Sequence, residues 1–144
     1  MNMGISSNEL RIGNYVKHPR NDFAIVESIQ KSAQGLYALT FKDESCGYWI
    51  EHEGDHICEG IEITKEVLLR CGIEIKDGIY IIEINDIKSI QGYINPLGFN
   101  IALYEHLLIL DERIDIIGLK KVKYLHQLQN LYFVLTGEEL ILKN

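Results

Sequence analysis

Short apolar runs punctuated by turn residues fill the first forty positions of the chain. LRIGNYVKHPRNDFAIVESIQ alternates apolar and polar positions and breaks at Pro19, Asn21 and Asp22, which predicts strands over 11–17 and 23–29. A further strand is expected over 36–41, after the turn at 32–35. GYWIEHEGDHICEGIEI reads as extended, and Thr64 then stands where it can cap a short helix, TKEVLLRCG, that Gly72 stops. Val67, Leu68 and Cys71 fall at helical spacing and form its packing side. IYIIEI, IKSIQGYI and FNIALYEHLLIL follow, separated by Asn85 and Asp86 and by 95–98, and predict an antiparallel meander, with 113–117 as one more strand.

The C-terminal run YLHQLQNLYFVLTGEELILKN has a helical period. On a helical wheel Tyr124, Leu125, Leu128, Leu131, Tyr132 and Leu135 share one broad face, the expected core side. His126, Asn130 and Phe133 fall opposite, with Gln127 and Val134 on one flank and Gln129 on the other. An outer side rich in amides, with Phe133 among them, predicts a second contact: another part of the chain, a twin subunit or a ligand. Thr136 and Gly137 end the helix through a left-handed cap, and EELILK reads as a closing edge strand.

These elements predict an α+β fold: an antiparallel, partly SH3-like or barrel-like sheet with a short middle helix and a longer C-terminal helix packed on it. A length of 144 residues suits one domain, 1–144, with a β-rich part over 10–60 and the helix, meander, second helix and closing strand over 61–144.

Composition narrows the classes. The formal charge of −7 tells against a general duplex nucleic-acid surface, which needs clustered cations. Apolar runs such as 107–110 fall well short of a bilayer span, and the first residues lack the apolar stretch of a signal peptide, so no membrane partner and a cytoplasmic location are expected. Three cysteines, Cys46, Cys58 and Cys71, are an odd count and read as free thiols.

Three sets of residues carry candidate chemistry. EHEGDHIC holds His52, His56 and Cys58 on one side of an extended stretch, an imidazole and thiolate set that suits zinc but matches no established zinc spacing; a solvated acidic loop, with no cofactor, is the competing reading. A nucleophilic cysteine would need a base whose proximity sequence distance cannot supply, and Cys71 reads as a small core residue. Lys120, Lys121 and Lys123 lead into the C-terminal helix, where free backbone N–H groups favour an anion and cations are electrostatically unfavourable. A bound phosphate would relieve that conflict, with Tyr124, Trp49 or His126 stacking on an attached base.

LRIGNYV near the start, IEITKEVLLRCGIE in the middle and YLHQLQNLYFVLTGEELIL at the end together resemble a family of small proteins encoded by phages and prophages of Bacteroides and relatives. The family has no assigned reaction. The resemblance implies a mobile-element accessory protein in a bacterial cytoplasm, acting on host defence or regulation. The combined expectation is a non-enzymatic, homo-oligomeric protein that sequesters a phosphate-bearing, nucleotide-derived small molecule through Lys120, Lys121, Lys123, Tyr124, His126, Gln129, Asn130 and Trp49. The alternatives are a module that docks on a host or phage protein through Phe133, Asn130 and the acidic surface, and a small metal- or Cys-dependent hydrolase.

Overall fold

A computed structural model describes residues 10–18, 21–31, 33, 36–42, 48–52, 59–107, 112–118 and 121–143. The fold is α+β, and the described residues form two antiparallel sheets and two helices. The chain divides into two compact units, Met1–Ile61 and Glu62–Asn144.

The first unit is a four-stranded sheet in the order β1 (Tyr15–His18), β2 (Asn21–Lys31), β3 (Leu36–Phe41), β4 (Tyr48–His52). β1 starts later than its apolar pattern suggests. Gly13 takes φ 97°, and the buried Asn14 accepts the Arg11 backbone N–H at 2.7 Å, so 11–14 form a turn instead. Register shifts interrupt the ladders between Val16 and His18 and between Val26 and Ser28. Such irregularities increase local twist. The chain returns to the free edge of β1, where Lys17 and Glu59 exchange backbone hydrogen bonds of 2.8 and 2.9 Å. The core of this unit gathers Leu10, Val16, Ala24, Val26, Leu39 and Phe41. His18 is buried with its ring 5.0 Å from that of Phe41.

In the second unit Thr64 caps α1 (Lys65–Arg70) as expected, its hydroxyl accepting the Val67 N–H at 3.2 Å. Gly72 follows at φ 78°, and Val67, Leu68 and Cys71 are buried. The meander forms a five-stranded sheet in sequential order: β5 (Glu74–Lys76), β6 (Ile79–Glu83), β7 (Lys88–Asn95), β8 (Gly98–Leu107) and β9 (Glu112–Gly118). Asn85 Oδ1 accepts the N–H groups of Ile87 and Lys88, and Asn95 Oδ1 that of Leu97, which fixes two of the turns. β5 is not evident in the apolar pattern. It forms because Asp77 and Gly78, both at positive φ (54° and 80°), make a two-residue hairpin whose hand matches strand twist.

Alternation sorts the sheet into two faces. Tyr80, Ile82, Ile90, Phe99, Ile101 and Leu103 are buried on one, where Tyr80 meets Phe99 edge to face at 5.9 Å. Beyond Gly118 the chain returns to β8, and Val122 and Phe99 exchange backbone hydrogen bonds of 2.8 and 2.9 Å. Glu62 and Tyr124 form a second bridge, and α2 (Leu125–Thr136) begins there.

Two expectations for this unit are corrected. The buried side of α2 holds Leu125, His126, Leu128 and Gln129, whereas Leu131, Tyr132 and Leu135 are only half-buried. The helix is therefore rotated toward Gln129 and His126. Counting apolar side chains misplaces the face because Gln129, fully buried, donates its Nε2 to the Leu140 carbonyl at 3.0 Å and so belongs inside. The closing strand is also absent: 139–143 are irregular, with the Leu140 carbonyl accepting from Gln129 and the Lys143 N–H donating to the Arg70 carbonyl at 2.6 Å. Gly137, at φ 75°, ends α2 by donating to the Phe133 carbonyl at 2.7 Å, the left-handed cap anticipated.

Candidate functional site

The segment leading into α2 is extended, and Tyr124, its last residue before the helix, has φ −116° and ψ 148°. Residues two apart on an extended chain share a side. Val122 is buried, so Lys121 and Lys123, both exposed, fall together on the other side. The Lys123 ammonium lies 5.3 Å from the centre of the Tyr124 ring, within the range of a cation–π contact, and that ring stacks on His126 at 5.9 Å with 14° between planes. Cation, phenol and imidazole are thus contiguous. Gln127 holds the entry in shape, its Oε1 accepting the backbone N–H groups of Lys123 (3.1 Å) and Tyr124 (3.0 Å).

Of the residues singled out from sequence, Lys121, Lys123, Tyr124 and His126 come together here. Asn130 is half-buried one helical turn beyond His126. Gln129 is on the buried side and bonds Leu140. Lys120 lies outside the described residues, and Trp49 belongs to β4 of the first unit, opposite Leu39 in the ladder. Of the zinc candidates, His52 ends β4 opposite Leu36, while His56 and Cys58 lie outside the described residues. Among the described residues no three His, Cys, Asp or Glu side chains converge on one point, and no helix is long and apolar enough to cross a membrane. Burial pushes the Cys71 thiol up to about 11 against a smaller opposing effect of Arg70, so it stays protonated at neutral pH and is a core residue.

Two concavities in the second unit involve residues that sequence reasoning passed over. One lies on the less buried face of the large sheet and has a volume of about 430 Å³, lined by Ile79, Gln91, Tyr93, Asn100, Ala102 and Tyr104. None of these side chains carries a formal charge. Gln91 Nε2 is tethered to the Ser89 hydroxyl at 3.1 Å and Asn100 Nδ2 to the Gly98 carbonyl at 3.3 Å, which fixes both amides while leaving their carbonyl oxygens as acceptors. The other concavity, about 540 Å³, lies between Lys65, Glu66, Leu69, Arg70 and Lys143. It is cationic but carries its own carboxylate in Glu66. The tethered-amide set has no sequence signal, because its members reach one place only through the pairing of β7 with β8.

No protein-family model matches the chain, and neither the curated proteins nor the solved structures contain a match.

Proposed function

We propose that the protein is a non-enzymatic binding protein of the phage accessory type, acting in a bacterial cytoplasm as an oligomer, that captures a phosphate-bearing, nucleotide-derived small molecule at the start of α2. The observation that carries this reading is the placement of Lys121 and Lys123 on one side of the segment entering a twelve-residue helix, with the Lys123 ammonium against the Tyr124 ring. Two ammonium groups at the positive end of a helix dipole cost on the order of 0.3–1 kcal/mol each when exposed. A phosphate reverses the sign of that interaction and gains charge-assisted hydrogen bonds from both lysines. The phage setting rests on the three sequence blocks and supplies context, while the lysines supply chemistry.

Calorimetric titration with AMP, UMP and inorganic phosphate tests the reading in the wild type and in a K121A/K123A variant. The expected result is saturable binding that weakens at least tenfold in the variant and falls with added salt. Absence of binding by every probe, or equal binding by the variant, overturns it.

A second reading is docking of a protein through the outer side of α2. It is favoured by Phe133 and Val134, which remain 38% and 79% exposed on adjacent positions of that helix. A pull-down from bacterial lysate with wild type and F133E/V134E distinguishes it: this reading requires a stoichiometric foreign protein that the wild type retains and the variant loses, whereas small-molecule capture brings none.

A further inference from the structure

The pairing of β7 with β8 builds a trough on the less buried face of the large sheet. Directly opposed residues of an antiparallel pair point to the same face. Three opposed pairs follow one another there: Ser89 with Tyr104, Gln91 with Ala102, and Tyr93 with Asn100. The middle pair is low on its β8 side, because Ala102 carries only a methyl group, while Tyr104 and Asn100 stand two residues to either side of it. At about 3.3 Å per residue those two are roughly 13 Å apart along the strand. Both amides are drawn away from the middle. Gln91 Nε2 bonds the Ser89 hydroxyl at 3.1 Å, in the row of Tyr104, and Asn100 Nδ2 bonds the Gly98 carbonyl at 3.3 Å, on the side of Asn100 remote from Ala102. The space left over the methyl belongs to the concavity of about 430 Å³, which Ile79 and Tyr93 also line.

We infer that this trough binds a neutral saccharide, whose ring lies over Ala102 against the phenol rings of Tyr93 and Tyr104 while Gln91 and Asn100 bond its hydroxyls. The site goes beyond the phosphate capture proposed above and shares no residue with it. Its lining carries no formal charge, so a phosphate or carboxylate would lose water there without gaining an ion pair. Each tethered amide keeps a carbonyl oxygen and a second N–H, and a sugar hydroxyl, which both donates and accepts, matches that pair of functions. The C–H groups of a sugar ring carry partial positive charge and meet the negative face of a phenol ring favourably. A planar base would stack equally well, but its polar atoms lie along one or two edges in its own plane. Gln91 and Asn100 are held toward opposite ends of the trough, and a ring with hydroxyls around its whole perimeter reaches both. Because the tethers already fix these amides, little side-chain freedom is lost on binding. A volume of about 430 Å³ falls within the range of small-molecule pockets.

Nuclear magnetic resonance titration of the labelled full chain with glucose, galactose, N-acetylglucosamine and adenosine tests this, using wild type, Y93A, A102L and L97A. Tyr93 is 51% exposed, so its truncation leaves the core intact. Ala102 is half-buried on the outer face, so a leucine there fills the trough while every polar group stays in place. Matching thermal melts verify the fold of each variant. At least one of the three sugars should shift the side-chain amides of Gln91 and Asn100 and the backbone amides of 100–104 saturably. Y93A and A102L should each weaken that sugar at least fivefold. L97A, in the β7–β8 turn and outside the lining, should leave its affinity unchanged. The saccharide site is overturned if none of the sugars shifts these resonances, or if the affinity is unaltered by either Y93A or A102L. Shifts produced by adenosine alone overturn it in favour of a planar base.

Discussion

Replacing Gln129 with Met separates what its amide bonds from what its bulk fills. Gln129 and Leu140 are both buried, and the 3.0 Å bond from Nε2 supplies the Leu140 carbonyl with a donor where water has little access. Methionine is similar in volume and apolar, so packing changes little, but the carbonyl is left without that donor. A buried acceptor deprived in this way costs about 1–3 kcal/mol. Gln129→Ala adds a void at a fully buried position and raises the loss to about 3–5 kcal/mol. Urea titration followed by far-ultraviolet circular dichroism reads the difference. Fluorescence of Trp49, the single tryptophan, reports on the first unit and is the wrong probe. Hydrogen exchange in 140–143 should accelerate in Q129M before the rest of the second unit responds. A Q129M stability within about 0.5 kcal/mol of wild type would refute the assignment of this amide to structure.

Three further expectations follow from the same geometry. Cys71 titrates near 11 when folded and 9.0 ordinarily; the folded state holds the proton longer, so stability is complete below pH 9 and declines by on the order of 2–3 kcal/mol as pH rises to 11, a decline that denaturation of C71A should lack. Gly92→Ala places a Cβ against the Asn100 carbonyl oxygen and 2.7 Å from Ile101 Cγ2, and thermal melts should show a loss of about 1–3 kcal/mol with disturbance at the β7–β8 pair. Thr64→Ala removes the oxygen that accepts the Val67 N–H and should cost about 1 kcal/mol in urea titration, while Thr64→Asn should restore most of it.

Local chemistry was legible where a side chain and its backbone partner are close in sequence. Thr64 announces α1, Gly72 and Gly137 its end and that of α2, and Asn85 and Asn95 the turns of the meander. The Asp77-Gly78 hairpin carries a sequence signal too, but the strand before it, Glu74–Lys76, is three residues long and exposed throughout, so it shows no apolar alternation. The rotation of α2 was not legible, since it depends on Gln129 finding a carbonyl eleven residues away. The candidate site divides the same way. Lys121 and Lys123 stand out as a charge run. Gln91, Tyr93, Asn100 and Tyr104 read singly as polar positions of solvent-facing strands, and only the register of β7 on β8 brings them to one concavity.

The large sheet is guarded at its margins, and this limits how another molecule can join it. One margin is β5, three residues long, with the charged Glu74 and Lys76 as its two ends. Toward the other, where the pairing of β9 stops short of Phe99, the Val122 bridge covers the backbone of β8. Short, charged or covered margins are poor templates for edge-to-edge growth into fibrils or for addition of a foreign strand. A molecule recruited to this sheet must therefore read its side chains, one face at a time, rather than extend its ladder.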